Sequence, residues 1–330
     1  MTVDAGTIGV IGAGAWGTAL AVLGARAGRR TLLWTRDAEA AGRMAAERRN
    51  AARLPGITFP PALAVTADGA AMAEAELILL AVPAQTIREA LQCLSPPLTG
   101  PVVICAKGLD RQSGRLLSDV LAERAPGARP YVLSGPSFAA DVARSLPTAV
   151  TLAGTDRAET AAIAAALAEP AFRIYASDDL RGVQIGGALK NVMAIACGIS
   201  DGRGLGESAR AALTTRAFAE MIRLGQAFGA QATTLAGLSG LGDLILTCAS
   251  RQSRNYGLGR ALGAGRPLAA AIAGQSGVSE GLYTASVAVA LARRHGIEAP
   301  LCEAVDAVLS GTSSPDDEIA RLLSRPLRSE

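Results

Sequence analysis

The stretch "VIGAGAWG" constrains this chain more than any other. It places Gly12-x-Gly14-x-x-Gly17 between an apolar run at residues 7–11 and an Ala-rich stretch at residues 15–27. The run predicts a short buried strand, and the stretch predicts a helix that opens at Ala15 and Trp16. Each glycine then has a physical task. Gly12 permits a tight turn, Gly14 lets the backbone approach a pyrophosphate, and Gly17 allows close packing of helix on strand. The helix N-terminus adds unpaired N–H groups and a positive dipole end. A dinucleotide site is the expectation. A plain strand–helix turn is the alternative, because a chain with 37 glycines holds many Gly-rich turns.

The pattern continues as alternation. Residues 31–34 read as a second strand and 37–49 as a charged helix. "ELILLAV" at 76–82 is the strongest buried strand, followed by a helix near 86–93 and the strand "PVVICA". A helix around 114–124, the strands "YVLSG" and "TAVTLAG", a helix around 157–168 and the strand "FRIYAS" complete the series. Strands alternating with helices of this length predict a parallel, doubly wound sheet. After about residue 178 strand-like runs nearly vanish, and Ala/Leu-rich helical stretches follow one another. The fold class expected is α/β plus all-α. A Rossmann-type dinucleotide-binding domain would occupy residues 1–182, and an all-helical substrate and catalytic domain residues 183–330. The polar tail after Ser310 reads as a frayed end.

Bulk composition narrows the function classes. Net charge is +3, and the arginines are scattered rather than striped, which argues against a nucleic-acid partner. The five cysteines form no CxxC pair and four lie in apolar or Ala-rich surroundings, so buried reduced thiols and a cytoplasmic location are expected. No secretory leader is read at the N-terminus, and no membrane span is expected. With one histidine and no paired cysteines, no metal site is expected.

Two residues stand out by rarity. Of 32 basic residues only Lys107 and Lys190 are lysines, so 32 − 2 = 30 are arginines. A compositional bias explains the arginines but not the exemptions. Arginine does not deprotonate in a protein, whereas a lysine amine is tuned by burial and neighbours. Lys190 lies in "QIGGALKNVMAI", where Gly186, Gly187 and Ala194 share its helical neighbourhood. Such an amine, lowered by desolvation and held up by a carboxylate, could protonate a developing alkoxide; a snorkelling surface lysine is the alternative. Lys107 follows "PVVICA", at the edge of the sheet where ligands of such folds bind. His295 reads as a residue of a helix C-terminus rather than a base.

Other polar residues suggest their partners. Arg36 follows the second strand and suits a ribose 2′-phosphate, which favours NADP(H). The adjacent Asp37 either caps the next helix or accepts a ribose hydroxyl, which keeps NAD(H) open. In "LSGLGDLILTCASRQSRNYGLGRALGAG", Asp243 stands alone in an apolar setting and needs a partner such as lysine. Thr247 lies four residues on, on the same helical face. Ser253, Arg254 and Asn255 precede a helix and could cradle a phosphate; a hydrophilic loop with a capping Ser or Asn is the alternative.

Together "GAGAWGTALA", "AVPAQTIREAL", "AKGL", "LSGPSFAADV", "ALKNVMAIACGI", "GLGDLILTC", "SRNYGLG" and "VSEGLYTASVAVALARRHGIEAPL" resemble the bacterial NAD(P)-dependent glycerol-3-phosphate dehydrogenases over nearly the whole chain. The resemblance implies reduction of dihydroxyacetone phosphate to sn-glycerol 3-phosphate, the backbone of phospholipids. It implies Lys190 as proton donor and acceptor, with Asp243 and Lys107 assisting. It implies substrate contacts at Lys107, Gly135, Ser137, Asn191, Asp243, Thr247, Ser253, Arg254 and Asn255. Cofactor contacts would come from Gly12, Gly14, Ala15, Trp16, Gly17, Arg36, Lys107, Ala139, Arg254, Val278 and Glu280. A homodimer is a family-level expectation. The chain departs from the pattern at Arg53 in "NAARLPG", where an aromatic is usual. A Rossmann-type reductase of a carboxylated hydroxyacid is the nearest rival, and a non-catalytic dinucleotide sensor is a second.

Overall fold

In the computed structural model, residues 6–275 and 277–326 are described. The chain forms two compact units. One comprises the chain up to Lys107 together with Arg115–Gln184; the other comprises Gly108–Gly114 and the chain from Ile185 onward.

The first unit is built from β1 (Thr7–Ile11), α1 (Ala15–Arg26), β2 (Arg30–Trp34), α2 (Ala38–Glu47), β3 (Leu63–Thr66), β4 (Leu77–Leu80), α3 (Ile87–Gln92), β5 (Gly100–Ile104), α4 (Leu117–Arg124), β6 (Ala128–Ser134), α5 (Ala139–Ala143), β7 (Thr148–Gly154), α6 (Arg157–Leu167) and β8 (Phe172–Ser177). The strands make one eight-stranded sheet in the order β3-β2-β1-β4-β5-β6-β7-β8. Alternate strand residues feed opposite cores, as the two-residue strand period requires. Ile8, Val10, Leu77, Leu79 and Val103 pack with Leu20, Leu23 and Ile163 of α1 and α6. Ile11, Ile78, Leu80 and Ile104 pack with Ile87, Val120 and Leu121 of α3 and α4. Burial on both faces explains why β4 reads "LILL" without alternation.

Two features depart from the sequence reading. β6 and β7 are antiparallel, whereas the other pairings are parallel. The connection between them does not cross the sheet. It carries the short α5, which Arg26 of α1 holds by donating to the carbonyls of Ala143 at 2.7 Å and Val142 at 3.0 Å. The chain therefore re-enters from the end it left. The edge strand β3 also escapes the reading: it is four residues long, follows Pro60-Pro61 and is buried only at Leu63.

The second unit is helical among its described residues. Its elements are α7 (Leu180–Gly202, which starts in the first unit), α8 (Glu207–Ala227), α9 (Ala232–Leu235), a π-helical turn (Leu238–Gly242), α10 (Asp243–Ala249), α11 (Arg254–Gly263), α12 (Leu268–Ala273), α13 (Gly281–Arg294), α14 (Pro300–Ser310) and α15 (Pro315–Leu323). The expected frayed tail is thus an ordered helix. Ser314 accepts from the Asp317 amide, Asp317 reaches back to the Ser314 amide, and Pro315 opens the first turn, a full capping box. α7 is long and apolar enough to cross a membrane, but 94% of its apolar window is buried inside the protein, as in a core helix. The run Ala232–Ala249 also passes on length and composition; it is 39% buried and is interrupted by the π turn. Cys93 is exposed, the other four cysteines are buried, and none is bridged.

Glu220 shows how helices lock in this unit. It is 1% exposed and accepts from the Leu301 and Cys302 amides, both at 2.9 Å, so α8 caps the N-terminus of α14. Glu220→Ala strands two buried donors and is expected to cost roughly 2–4 kcal/mol in urea unfolding. Burial raises the Glu220 carboxyl above its ordinary value. A raised folded-state value favours the fold below the ordinary value and loses that contribution as pH climbs through the raised one. The gap between wild type and Glu220→Ala should therefore narrow as pH rises from acid towards neutrality; a gap that widens contradicts the assignment.

Candidate active site

The sheet changes direction of strand addition between β1 and β4, the switch point at which doubly wound folds bind ligands beyond the strand ends. Gly12 leaves β1 there with φ 111°, and a Cβ on it would lie 2.9 Å from Val82 Cγ1. A Cβ on Gly17 would lie 1.9 Å from the Gly12 carbonyl oxygen, so α1 packs against its own turn. A Cβ on Gly14 would meet nothing within 4 Å. Gly14 caps α1 without a side chain, and Ala15 and Trp16 follow in its half-buried first turn. This is an open cradle with uncapped N–H groups, and it fits a pyrophosphate.

Asn50, which the sequence reading did not single out, fixes that turn. It is buried and donates to the Ala13 carbonyl and to Thr18 Oγ1, each at 2.9 Å. Nothing local in "NAARLPG" signals this, because the partners lie more than 30 residues away. Arg53 is exposed. Arg36 follows β2 with its side chain 75% exposed, and Glu89 lies 3.8 Å from it. Asp37 caps α2 by accepting from the Ala40 amide at 2.9 Å, the capping alternative of the two left open.

At the ends of the adjacent β5 and β6, Lys107 Nζ donates to the Gly135 carbonyl at 2.9 Å. Ser137 Oγ donates to the same oxygen at 3.0 Å. Gly135 has φ 149°, and a Cβ there would lie 2.8 Å from Val150 Cα. Ala139 opens α5, half-buried, just beyond. The three residues Lys107, Gly135 and Ser137 thus form one cluster of the first unit.

In the second unit, Lys190 lies mid-way along α7 and is 7% exposed. Its Nζ donates to Asp243 Oδ1 at 2.7 Å and to Thr247 Oγ1 at 2.8 Å. Thr247 in turn donates to Asp243 Oδ1 at 3.4 Å, closing a ring of three groups. Asp243 is 1% exposed and Thr247 3%. The π turn delivers the carboxylate. A Cβ at Gly186, one turn before Lys190, would lie 2.7 Å from the Ser239 carbonyl oxygen, so only glycine lets the turn approach α7 this closely.

A second close approach brings α11. Cβ atoms at Gly198 and Gly202 of α7 would lie 2.2 Å from Tyr256 O and 2.3 Å from Arg260 O. At Gly259 and Gly263 of α11 they would lie 2.0 Å from Ile195 O and 2.3 Å from Ile199 O. The backbones touch, and the N-terminus of α11 is fixed relative to Lys190. Ser253 caps α11 by accepting from the Tyr256 amide at 3.2 Å. Asn255 Nδ2 donates to Asn191 Oδ1 at 2.9 Å, and Asn255 Oδ1 accepts from the Gly281 amide at 3.0 Å. Arg254 is exposed, with Gly277 against its guanidinium, and its carbonyl accepts from Gln275 Nε2 at 2.8 Å. Val278 is exposed and Glu280 half-buried at the start of α13. His295 caps the far end of that helix, exposed and edge-on to Phe228 at 5.2 Å, outside this cluster. Among the described residues, no group of His, Cys, Asp and Glu could hold a metal.

An amine kept dry beside a carboxylate serves a reaction that makes or consumes an alkoxide. The glycine turn serves a dinucleotide. The class so defined is that of Rossmann-type dehydrogenases with a helical second unit. Models of the NAD-dependent glycerol-3-phosphate dehydrogenase N-terminus and C-terminus match residues 7–160 and 179–320. The chain belongs to the NAD-dependent glycerol-3-phosphate dehydrogenase family. It is 55% identical over 326 residues, 98% of each chain, to glycerol-3-phosphate dehydrogenase [NAD(P)+] of Bradyrhizobium sp. (strain ORS 278). It is 52% identical to the enzyme of that name from Parvibaculum lavamentivorans, over 100% of both chains. A solved glycerol-3-phosphate dehydrogenase from Coxiella burnetii superposes with a TM-score of 0.93 at 40% identity, covering 97% of this chain and 99% of that one. The rival reductase class shares the fold alone: a PanE/ApbA family ketopantoate reductase from Ralstonia eutropha JMP134 reaches a TM-score of 0.61 at 17% identity, covering 95% of this chain and 99% of that one.

The α7–α11 crossing gives a direct test. Gly259→Ala forces backbone apart and is expected to cost about 3 kcal/mol or more, measured by chemical unfolding. An unfolding free energy within error of wild type would show that the helices are not held in backbone contact.

Proposed function

We propose that the protein catalyses the reversible NAD(P)H-dependent reduction of dihydroxyacetone phosphate to sn-glycerol 3-phosphate, with Lys190 as general acid and base. The dry ring of Lys190, Asp243 and Thr247 carries this reading, together with kinship over the full chain. The residues of 1–182 hold the dinucleotide and those of 183–330 supply substrate anchoring and proton transfer. Gly12, Gly14 and Gly17 with the α1 amides at Ala15 and Trp16 cradle the pyrophosphate. Arg36 faces the ribose 2′-phosphate, while Asp37 is occupied as a helix cap, which favours NADP(H) over NAD(H). Ala139, Val278 and Glu280 complete the contacts.

The nicotinamide, when bound, supplies the hydride. Lys190 hydrogen-bonds the C2 carbonyl oxygen and protonates it as negative charge develops. Asp243 and Thr247 hold that ammonium in one direction, so little reorganisation is needed when charge appears. Lys107 polarises the substrate from a cluster with Gly135 and Ser137. Arg254 anchors the phosphate with Ser253 and Asn255, and Asn191 places the carbon end. Binding energy at the remote phosphate aligns the reacting carbon. The product would supply glycerophospholipid synthesis. A cytoplasmic homodimer is the setting the resemblance suggests.

Lys190→Arg keeps a positive charge but removes a proton that can leave. It is expected to lower kcat by at least ~100-fold while NADPH binding, followed by fluorescence titration, stays unchanged. Near-normal turnover would remove Lys190 from the chemistry. Arg254→Ala is expected to raise KM for dihydroxyacetone phosphate by roughly tenfold or more with a smaller effect on kcat; an unchanged KM would refute the phosphate anchor.

A further inference from the structure

Two buried nucleophiles in the second unit are unused by the proposed chemistry, and they touch each other. Cys197 lies two helical turns after Lys190 on α7, 0% exposed, and Cys248 follows Thr247 on α10, 1% exposed. Their thiols hydrogen-bond each other. The polarity of that contact follows from its surroundings. Thr214 Oγ1 donates to the Arg210 carbonyl at 2.8 Å, so its one hydrogen is committed. Its contact with Cys197 Sγ at 3.6 Å must then be donated by the Cys197 thiol. Cys197 Sγ in turn accepts from the Cys248 thiol. The chain runs Cys248 to Cys197 to Thr214 to Arg210.

We propose that Cys197 and Cys248 form an oxidisable dithiol, converted by a hydroperoxide to an intramolecular disulfide that misaligns the Lys190 ring. Electrostatics support the order of events. The hydrogen bond from Cys248 holds the Cys197 thiol below its ordinary value, and the same bond followed by burial pushes Cys248 well above it. Cys197 is therefore the attacking sulfur. Its thiolate takes one peroxide oxygen, the O–O bond breaks, and the departing hydroxide leaves as water with the Cys197 proton. Cys248 sulfur then attacks the sulfenic acid, the S–O bond breaks, and a second water carries off the Cys248 proton. Two electrons pass from the thiol pair to the peroxide.

The consequence follows from position. A disulfide draws the two sulfurs to about 2.05 Å, well inside a thiol–thiol contact. α10 must shift on α7 to allow it, and α10 carries both Thr247 and Asp243. Displacements well under 1 Å are felt by a three-group ring held at 2.7–3.4 Å. Burial makes the oxidation slower than that of the exposed Cys93. It also means that the site reacts during transient opening.

The test uses the full-length protein as Cys93→Ser, which leaves four thiols, treated with excess hydrogen peroxide. Expected are loss of two thiols, a mass change of about −2 Da, a peptide link between residues 197 and 248, and a fall in turnover of about tenfold or more that dithiothreitol reverses. Cys93→Ser/Cys197→Ser should keep its activity under the same peroxide. Retention of all four thiols, a link elsewhere, or mass gains of about 32 Da without a link would overturn the dithiol. Equal inactivation of the Cys197→Ser variant would overturn the switch. Thiol count and peptide link do not require the proposed reaction, so failure of that reading would be seen separately, as no turnover in the untreated protein.

Discussion

The ion pair between Lys190 and Asp243 is the interaction on which the helical unit depends. Removing two charges from water costs several kcal/mol per ion, and the pair recovers this only with good geometry and further hydrogen bonds. Thr247 supplies such a bond. Replacing the pair by apolar residues could hold α7 to α10 equally well, so stability does not explain it. A buried amine able to change its protonation state does. The surrounding architecture can be understood as what makes this costly arrangement tolerable: a glycine at 186, a π turn, and a threonine one helical turn beyond the acid.

Glycine has a second role that is easily missed. At the α7–α11 crossing, Gly198, Gly202, Gly259 and Gly263 let two helix backbones touch. A chain with 3% aromatics cannot fill wide gaps with large rings, and close backbone approach is its alternative. The close crossing also fixes where Ser253, Arg254 and Asn255 sit relative to Lys190. Packing and site geometry are thus set by the same small residues. Glu220, capping α14 from α8, tightens the other side of the unit in the same economical way.

Local pattern made much of this legible. Thr7–Ile11, the glycine turn and α1 lie within one stretch, and their physics is short-range. The rarity of lysine pointed to both residues whose amines hydrogen-bond at strand ends or within a helix core. The capped helix Pro315–Leu323 was readable in principle, since Ser314, Pro315 and Asp317 spell a capping box, yet polar composition suggested a frayed end. The antiparallel entry of β7 was not readable. It depends on Arg26 reaching α5 across 116 and 117 residues of chain.

The amino-acid sequence by itself determined the element order, the dinucleotide turn, the class of fold and the residue types able to move a proton or hold a phosphate. These follow from periodicity, backbone freedom and side-chain chemistry, which act over a few residues. Only tertiary structure decided which groups meet: Lys190 with Asp243 across 53 residues, Asn50 with the glycine turn, Cys197 with Cys248. Such meetings depend on how closely helices approach. That distance is set by many weak packing terms acting together, which no short segment of the chain encodes.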